Sequence, residues 1–134
     1  MAAAGFYHEE LMEHYRYSPH RGTLENPTIV ADALNPSCGD HIAITAEVID
    51  EKIKQIRFSG TGCVLSQAAA SLLAEQVTGA RLEVVLALSR DDILQLIGLQ
   101  VGPTRLKCAM LSLQVLQEGI RRYLSTIEKG MNHD

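Results

Sequence analysis

His41-Ile42-Ala43-Ile44-Thr45-Ala46-Glu47-Val48-Ile49-Asp50-Glu51-Lys52-Ile53-Lys54-Gln55-Ile56-Arg57-Phe58-Ser59 is the stretch from which the fold follows. Ile42, Ile44, Ala46 and Val48 alternate with His41, Thr45 and Glu47, the period of two that marks a strand with one buried face. Asp50-Glu51-Lys52 is short and polar and leads into a second strand-like segment, Ile53 to Ser59. The two segments should therefore pair as an antiparallel hairpin. Upstream, Thr28 to Leu34 is strand-like and stops at Asn35-Pro36, a turn signal. Three consecutive strands joined by short turns predict an antiparallel meander.

Helical patterns lie on either side of it. Tyr7, Leu11 and then His14 or Tyr15 recur at helical spacing in a short N-terminal helix that Pro19 should stop. After Gly60-Thr61-Gly62 the chain turns to good helix formers, Ser66 to Glu75, which should close at Gly79 in a left-handed cap. Arg81 to Leu88 reads as a short helix. Ser89 followed by Asp92 resembles a capping pair for a helix from Asp91 to Ile97, ended by Gly98. Pro103 suits a first helical turn. From there Leu106, Ala109, Leu113, Leu116, Ile120, Tyr123, Leu124 and Ile127 form a seam at three and four spacing towards Glu128. Cys108 falls at the edge of that seam and Lys107 towards solvent.

Strands first and helices afterwards predict an α+β fold: a three-stranded antiparallel sheet with helices packed on one face. Its parts are an N-terminal helix over 5–17, a sheet over 28–59 and a helical part over 64–128. The 134 residues, 46% of them hydrophobic, are read as a single domain over 1–134, large enough to bury a core without disulfides.

The net charge of −4, the absence of Trp and the few aromatic residues exclude both a phosphate-binding footprint and stacking platforms for bases. No nucleic acid is expected as a partner. The longest apolar run of the middle region, Val84 to Leu88, is far short of the roughly 20 residues of a membrane span. No basic region precedes a long apolar stretch at the N-terminus, so a cytoplasmic protein with no membrane partner is expected. Arg16, Arg21, Arg105 and Lys107 form a basic group that could meet an acidic protein surface, or a scatter of solvated charges.

Three cysteines are present, an odd number that argues for a reducing compartment. Each follows a turn element: Cys38 in Asn35-Pro36-Ser37-Cys38-Gly39-Asp40, Cys63 after Gly60-Thr61-Gly62, and Cys108 after Pro103. In an extended stretch residues two apart point the same way, so Cys38 and Asp40 can reach one point. Cys63 stands at a strand-to-helix junction, where unpaired N–H groups and the positive end of the helix dipole stabilise a thiolate. Three thiolates and one carboxylate suit zinc or an iron-sulfur cluster and disfavour magnesium or calcium. An oxygen ligand is the weaker partner for a soft metal, so Asp40 suggests a site that exchanges its contents. Spacing alone leaves the alternative of three unrelated buried cysteines open, because no C-x-x-C pair occurs. His14 reads as a packed or capping residue, and His41 as a solvent-side neighbour close enough to support Asp40.

These motifs together resemble the iron-sulfur cluster assembly scaffold family, of the IscU and NifU N-terminal type with SufU-like features. Asn35 to Asp40 is similar to the first ligand loop of that family. Phe58 to Ser71 is similar to its second and Arg105 to Ala109 to its third. Glu13-His14-Tyr15 with Pro19 and Gly22 resembles its N-terminal helix. The resemblance implies a SufE/NifU-like fold and a protein that binds rather than turns over a substrate.

It further implies that Cys38, Cys63 and Cys108 are thiolate ligands and acceptors of persulfide sulfur, with Asp40 as the carboxylate that keeps the site labile. The implied partners are a cysteine desulfurase and iron-sulfur carrier or target proteins, and the implied cargo is a transient 2Fe-2S cluster, with zinc possible in the same site. IscU-type members usually place His before the third cysteine, whereas Lys107 stands here, as in SufU-type members. The short spacing between Cys63 and Cys108 is IscU-like. The chaperone-recognition stretch of IscU-type members, Leu-Pro-Pro-Val-Lys, reads here Val101-Gly102-Pro103-Thr104-Arg105, which argues against a dedicated Hsp70-type partner.

Overall fold

Alternating apolar positions make the middle of the chain a sheet, and the helices that follow cover the face where those positions converge. The computed structural model describes residues 2–36, 39–98 and 101–132, with side chains described within these stretches from residue 9 to residue 128. Its elements, in chain order, are α1 (Ala2–Tyr17), β1 (Ile29–Asn35), β2 (Asp40–Ile49), β3 (Lys52–Thr61), α2 (Val64–Val77), α3 (Leu82–Leu86), α4 (Arg90–Ile97) and α5 (Pro103–Asn132). The three strands lie in the order β1-β2-β3, both pairs antiparallel. The expected meander forms.

Ile42, Ile44 and Ala46 of β2 are buried together with Ile29 and Ala31 of β1 and Ile53, Ile56 and Phe58 of β3. Ile53 and Ile56 are three residues apart, which a strict period of two would send to opposite faces. The register resolves this: Val48 pairs with Ile53 and Glu47 with Gln55, so Lys54 is an extra residue in β3 and both isoleucines reach the core. Asp50 and Glu51, with φ of 54° and 64°, make the two-residue turn between β2 and β3. Positive φ at both central residues matches the right-handed twist of the strands.

Thr45, expected on the solvent side, is buried. The connection from α1 to β1 crosses that face, and the Leu24 N–H donates to Thr45 Oγ1 at 3.0 Å. The same connection pairs with the outer edge of β3, where Gly22 N–H donates to Phe58 O and Phe58 N–H to His20 O, both at 2.8 Å. An exposed strand edge is thereby covered.

On the other face, α2 packs against β3 and β2, α5 against β1 and β2, and α1 against α2. Helix α2 is buried on nearly every side, from Leu65 to Ala74 without interruption, which explains its run of small residues. It ends one residue before expectation. Thr78 leaves the helix in extended geometry, and Gly79, with φ of 86°, turns its N–H to Ile53 O at 2.7 Å. Sheet pairing, rather than a closing helical hydrogen bond, takes up that glycine. Helix α4 carries the expected capping box between Ser89 and Asp92 and closes at left-handed Gly98.

The seam predicted for α5 is buried at Ala109, Leu113, Leu116 and Ile120 but not at its end, since Leu124 is 39% and Ile127 42% exposed. Thirty residues of helix span about 45 Å and ten residues of strand about 34 Å, so the last turns of α5 outrun the sheet. Upstream the buried face is broader than a seam and takes in Cys108, Leu111 and Val115, because α5 meets α2, α3 and α4 as well as the strands.

Gly119 sits where α5 comes closest to β1: a Cβ there would meet Ile29 Cγ2 at 2.8 Å and Ala31 Cβ at 3.1 Å. Helix propensity favours almost any residue over glycine by up to about 1 kcal/mol. Overpacking against a branched strand residue costs about 1–3 kcal/mol, and the branched side chain of Val makes the overlap worse. Gly119→Val is therefore expected to lower the urea midpoint by an amount equivalent to about 2 kcal/mol. An unchanged midpoint would show that α5 and β1 are less tightly apposed.

Candidate functional site

The β1–β2 hairpin places a carboxylate inside the protein. Asn35 pairs with Asp40 across the hairpin, the Gly39 N–H donates to Asn35 O at 2.8 Å, and Asp40, the first residue of β2, is 1% exposed. A buried carboxylate needs donors. The Cys63 N–H supplies one, to Oδ1 at 2.8 Å, and the Cys63 thiol lies 3.5 Å from Oδ2. Cys63 is the N-cap of α2 and makes no side-chain cap of its own. The carboxylate of Asp40 instead holds the N–H of the N-cap residue itself, at the end of the helix where the dipole favours negative charge.

This contact requires the chain to pass very close to Asp40 between β3 and α2. Gly62 has φ of 132°, a conformation L residues rarely adopt. A Cβ built on it would overlap Asp40 Oδ1 and lie 2.7 Å from its Cγ. The glycine before the second cysteine is thus a condition for the carboxylate to reach the helix end.

Cys108 arrives from the second turn of α5, 5% exposed, with its thiol 3.8 Å from Thr104 O. One ligand atom from each of Asp40, Cys63 and Cys108 lies within 4.8 Å of the others. Zn–S bonds of about 2.3 Å set tetrahedral ligands about 3.7 Å apart, so the three need to close by no more than about 1 Å to hold one ion. Among the described residues this is the group of His, Cys, Asp and Glu that can do so. Two thiols and a carboxylate suit a soft or borderline metal and leave positions for a further ligand. Cys38, the fourth expected member, lies outside the described residues.

The profile of the NifU-like N terminal domain matches residues 6–129. The chain belongs to that family. It is 32% identical over 133 residues to the zinc-dependent sulfurtransferase SufU of Bacillus subtilis, covering 87% of this chain and 90% of that one. It is 29% identical over 132 residues to the iron-sulfur cluster assembly scaffold protein IscU of Thermotoga maritima, covering 87% and 93%. Among solved structures, a Fervidobacterium islandicum protein assigned to iron-sulfur cluster assembly in the SUF system superposes with a TM-score of 0.75 over 84% of this chain and 94% of that one. At 23% identity that likeness supports the fold alone.

In this NifU-like domain, two histidines lie away from the group of Asp40, Cys63 and Cys108. His41 points to the outer face of the sheet, where its Nε2 is 2.8 Å from Asp32 Oδ2, so it supports β1 rather than Asp40. Alternation along β2 sends the residue after Asp40 to the opposite face. His14 packs between helices, with Nδ1 2.9 Å from Ser71 Oγ and Nε2 3.5 Å from Glu75.

The basic group divides in the same way. Arg16, Arg105 and Lys107 are exposed. Arg21 is exposed as well but is held by partners: Nη1 donates to Gln67 Oε1 at 2.7 Å and Nη2 to Tyr15 O at 2.6 Å, and its Cζ lies 5.0 Å from the Phe58 ring centroid. Gln67 in turn donates from Nε2 to Gly62 O at 3.1 Å. Sequence reading missed this pair. The available signal was Gln67 itself, a long polar side chain within the buried stretch of α2 from Leu65 to Ala74. No described helix of the domain is long and apolar enough to cross a membrane.

Gly62→Ala should strain the backbone and push Asp40 off the helix end, a packing and φ penalty of about 1–3 kcal/mol. Titration with Co²⁺, which reports thiolate ligation by its charge-transfer absorption, should show affinity reduced at least about tenfold, the usual scale for disturbing the groups that orient ligands. Wild-type affinity in the variant would mean that the close passage at Gly62 does not hold the site together.

Proposed function

We propose that this NifU-like domain is an iron-sulfur cluster assembly scaffold. It takes sulfur from a cysteine desulfurase, gathers a labile 2Fe-2S cluster as its cargo on Cys38, Asp40, Cys63 and Cys108, and passes it to carrier or target proteins. The observation that carries this reading is the meeting of Asp40, Cys63 and Cys108 within 4.8 Å, from three elements far apart in sequence. The likeness to proteins named as scaffolds supports it. Its role is holding and handing on, with no turnover of a small substrate.

The arriving sulfur is the outer atom of a persulfide on the donor. A thiolate of this chain attacks that atom, a new S–S bond forms as the donor's S–S bond breaks, and the donor leaves as a thiolate. Electrons balance at this transfer without an external oxidant; release of the bound sulfur as sulfide for the cluster takes two electrons per sulfur from an external thiol or electron-transfer reductant and returns the acceptor thiolate. Cys38, Cys63 and Cys108 are the candidate acceptors. The half-buried Cys63 has its helix dipole and the buried Cys108 its place near Thr104 O.

Asp40 serves two purposes in this account. Its Oδ1 holds the Cys63 N–H, and its hard oxygen is a weak partner for iron, which leaves the cargo exchangeable.

A second reading has its own support. Lys107, exposed before Cys108, occupies the place where a histidine ligand would stand, and one relative is named a zinc-dependent sulfurtransferase. In that case zinc is held by the same residues, supplying order and thiolate stabilisation, and a thiolate released from it, Cys38 in the first place, receives the sulfur. The donor set fits zinc, since thiolates and a carboxylate are all accepted ligands at the spacing found.

Anaerobic reconstitution with iron, a desulfurase, cysteine and a dithiol reductant separates the two. The scaffold should develop visible sulfur-to-iron absorption and then transfer it to an apo-acceptor. A colourless product with one tightly held zinc per chain and accelerated desulfurase turnover would replace the scaffold reading by the zinc one. Asp40→Asn, which keeps an oxygen acceptor for the Cys63 N–H, should retain the cluster longer than the wild-type chain. Asp40→Ala should do the same while losing about 1–3 kcal/mol of stability, because the Cys63 N–H loses its acceptor. A shorter-lived cluster in Asp40→Asn would refute the role given to the carboxylate.

A further inference from the structure

The peptide between Gly62 and Cys63 is held from both sides. Its N–H donates to Asp40 Oδ1 at 2.8 Å, and its carbonyl, Gly62 O, accepts from Gln67 Nε2 at 3.1 Å. A peptide unit is planar, so fixing both polar ends fixes its plane. With the Cys63 φ of −70°, that plane sets the position of its Cβ, from which the sulfur projects.

We propose that Arg21 and Gln67 are positioning residues for Cys63, a guanidinium-to-amide relay that sets the orientation of the Gly62–Cys63 peptide and hence of the thiol. The proposal rests on the reading of Asp40, Cys63 and Cys108 as a ligand site.

The chemistry of the two side chains gives the relay a direction. A primary amide has one accepting and one donating end, and either could face Gly62. A guanidinium can only donate. With Arg21 Nη1 at 2.7 Å, the oxygen of Gln67 must face the arginine and its NH2 must face Gly62 O. The bond from the charged donor is also the stronger kind. Gln67 is 8% exposed, so water does not compete freely for either end.

Arg21 has little freedom to let go. Its second nitrogen is held by the Tyr15 carbonyl at the end of α1, its plane lies over Phe58, and its backbone pairs with Phe58 at the edge of β3. The orientation of Cys63 is therefore referred to the N-terminal helix and the sheet edge, both outside the ligand loops. A loop with two glycines of positive φ, Gly60 and Gly62, would otherwise allow several peptide orientations.

Gln67→Glu tests this with little change of shape. It keeps a partner for Arg21, as an ion pair, and replaces the donor facing Gly62 O by a second acceptor. Gln67→Met is the neutral companion and removes both bonds. Two readouts apply to each variant and to the wild-type chain, with thermal melts as a check on folding.

The first is the exchange rate of the Cys63 amide proton by NMR in the metal-free protein, expected to rise at least about tenfold as its bond to Asp40 loosens. The second is Co²⁺ affinity and the thiolate-to-cobalt absorption. Affinity should fall about 10- to 100-fold, the range found when groups orienting a ligand are removed, with altered band intensity and a melting temperature within a few degrees of wild type.

Unchanged exchange at Cys63 in a folded variant overturns the clamp, whatever the metal does. Faster exchange with wild-type cobalt affinity and spectrum overturns its service to the site. A fall in melting temperature alone, with both readouts as in wild type, would reduce the pair to a structural strut. A wild-type chain without any thiolate-to-cobalt band sinks the ligand-site reading and this role with it, while the exchange data still report whether the peptide is clamped.

Discussion

The contact between the Asp40 carboxylate and the Cys63 N–H is the interaction on which the rest of this site depends. It joins the first residue of β2 to the N-terminus of α2 at 2.8 Å. It meets the demand of a buried carboxylate for a donor, and of an uncapped helix end for an acceptor. Cys63 offers no side-chain cap, and Asp40 is 1% exposed. The long-range bond between them leaves a cysteine and a carboxylate side by side.

The sheet and helices can be understood as the frame that makes this bond possible. The β1–β2 turn and the end of β3 lie at the same end of the sheet, because His41 pairs with Thr61 across two antiparallel strands. The N-termini of α2 and α5 reach that same end and bring Cys63 and Cys108. Gly62 lets the backbone pass against Asp40, and Gly119 lets α5 lie against β1. A site built from strand ends and helix starts takes its geometry from the frame of sheet and helices.

Much of this was legible in the chain. Alternation over His41–Ile49 showed the strand, Asp50-Glu51-Lys52 the hairpin, and Ser89 with Asp92 the α4 cap. The gaps have separate causes. Thr45 reads as an outward strand residue because alternation carries no information about a connection that crosses the sheet later. Leu124 and Ile127 continue an apolar seam perfectly well, yet the seam extends beyond the sheet it covers. Ile53 fits the core only through the extra residue Lys54, which pattern reading does not place. Gly79 looked like a helix stop, but Ile53 of β3 competes successfully for its N–H.

What the sequence determined by itself was local and chemical: where the chain is extended or helical, which residues carry soft and hard ligand atoms, and that glycine precedes the second cysteine. These depend on side-chain type and short spacing, which any window of the chain contains. Only the tertiary structure decided which groups meet. It sent His41 to Asp32 and away from Asp40, brought Cys63 and Cys108 to one carboxylate, and enlisted Arg21 and Gln67, 46 residues apart, to hold the peptide ahead of Cys63. The reason is physical: a hydrogen bond is directional and acts within about 3 Å. Its partners are chosen by how strands and helices stack, and neighbouring residues in the chain carry no record of that choice.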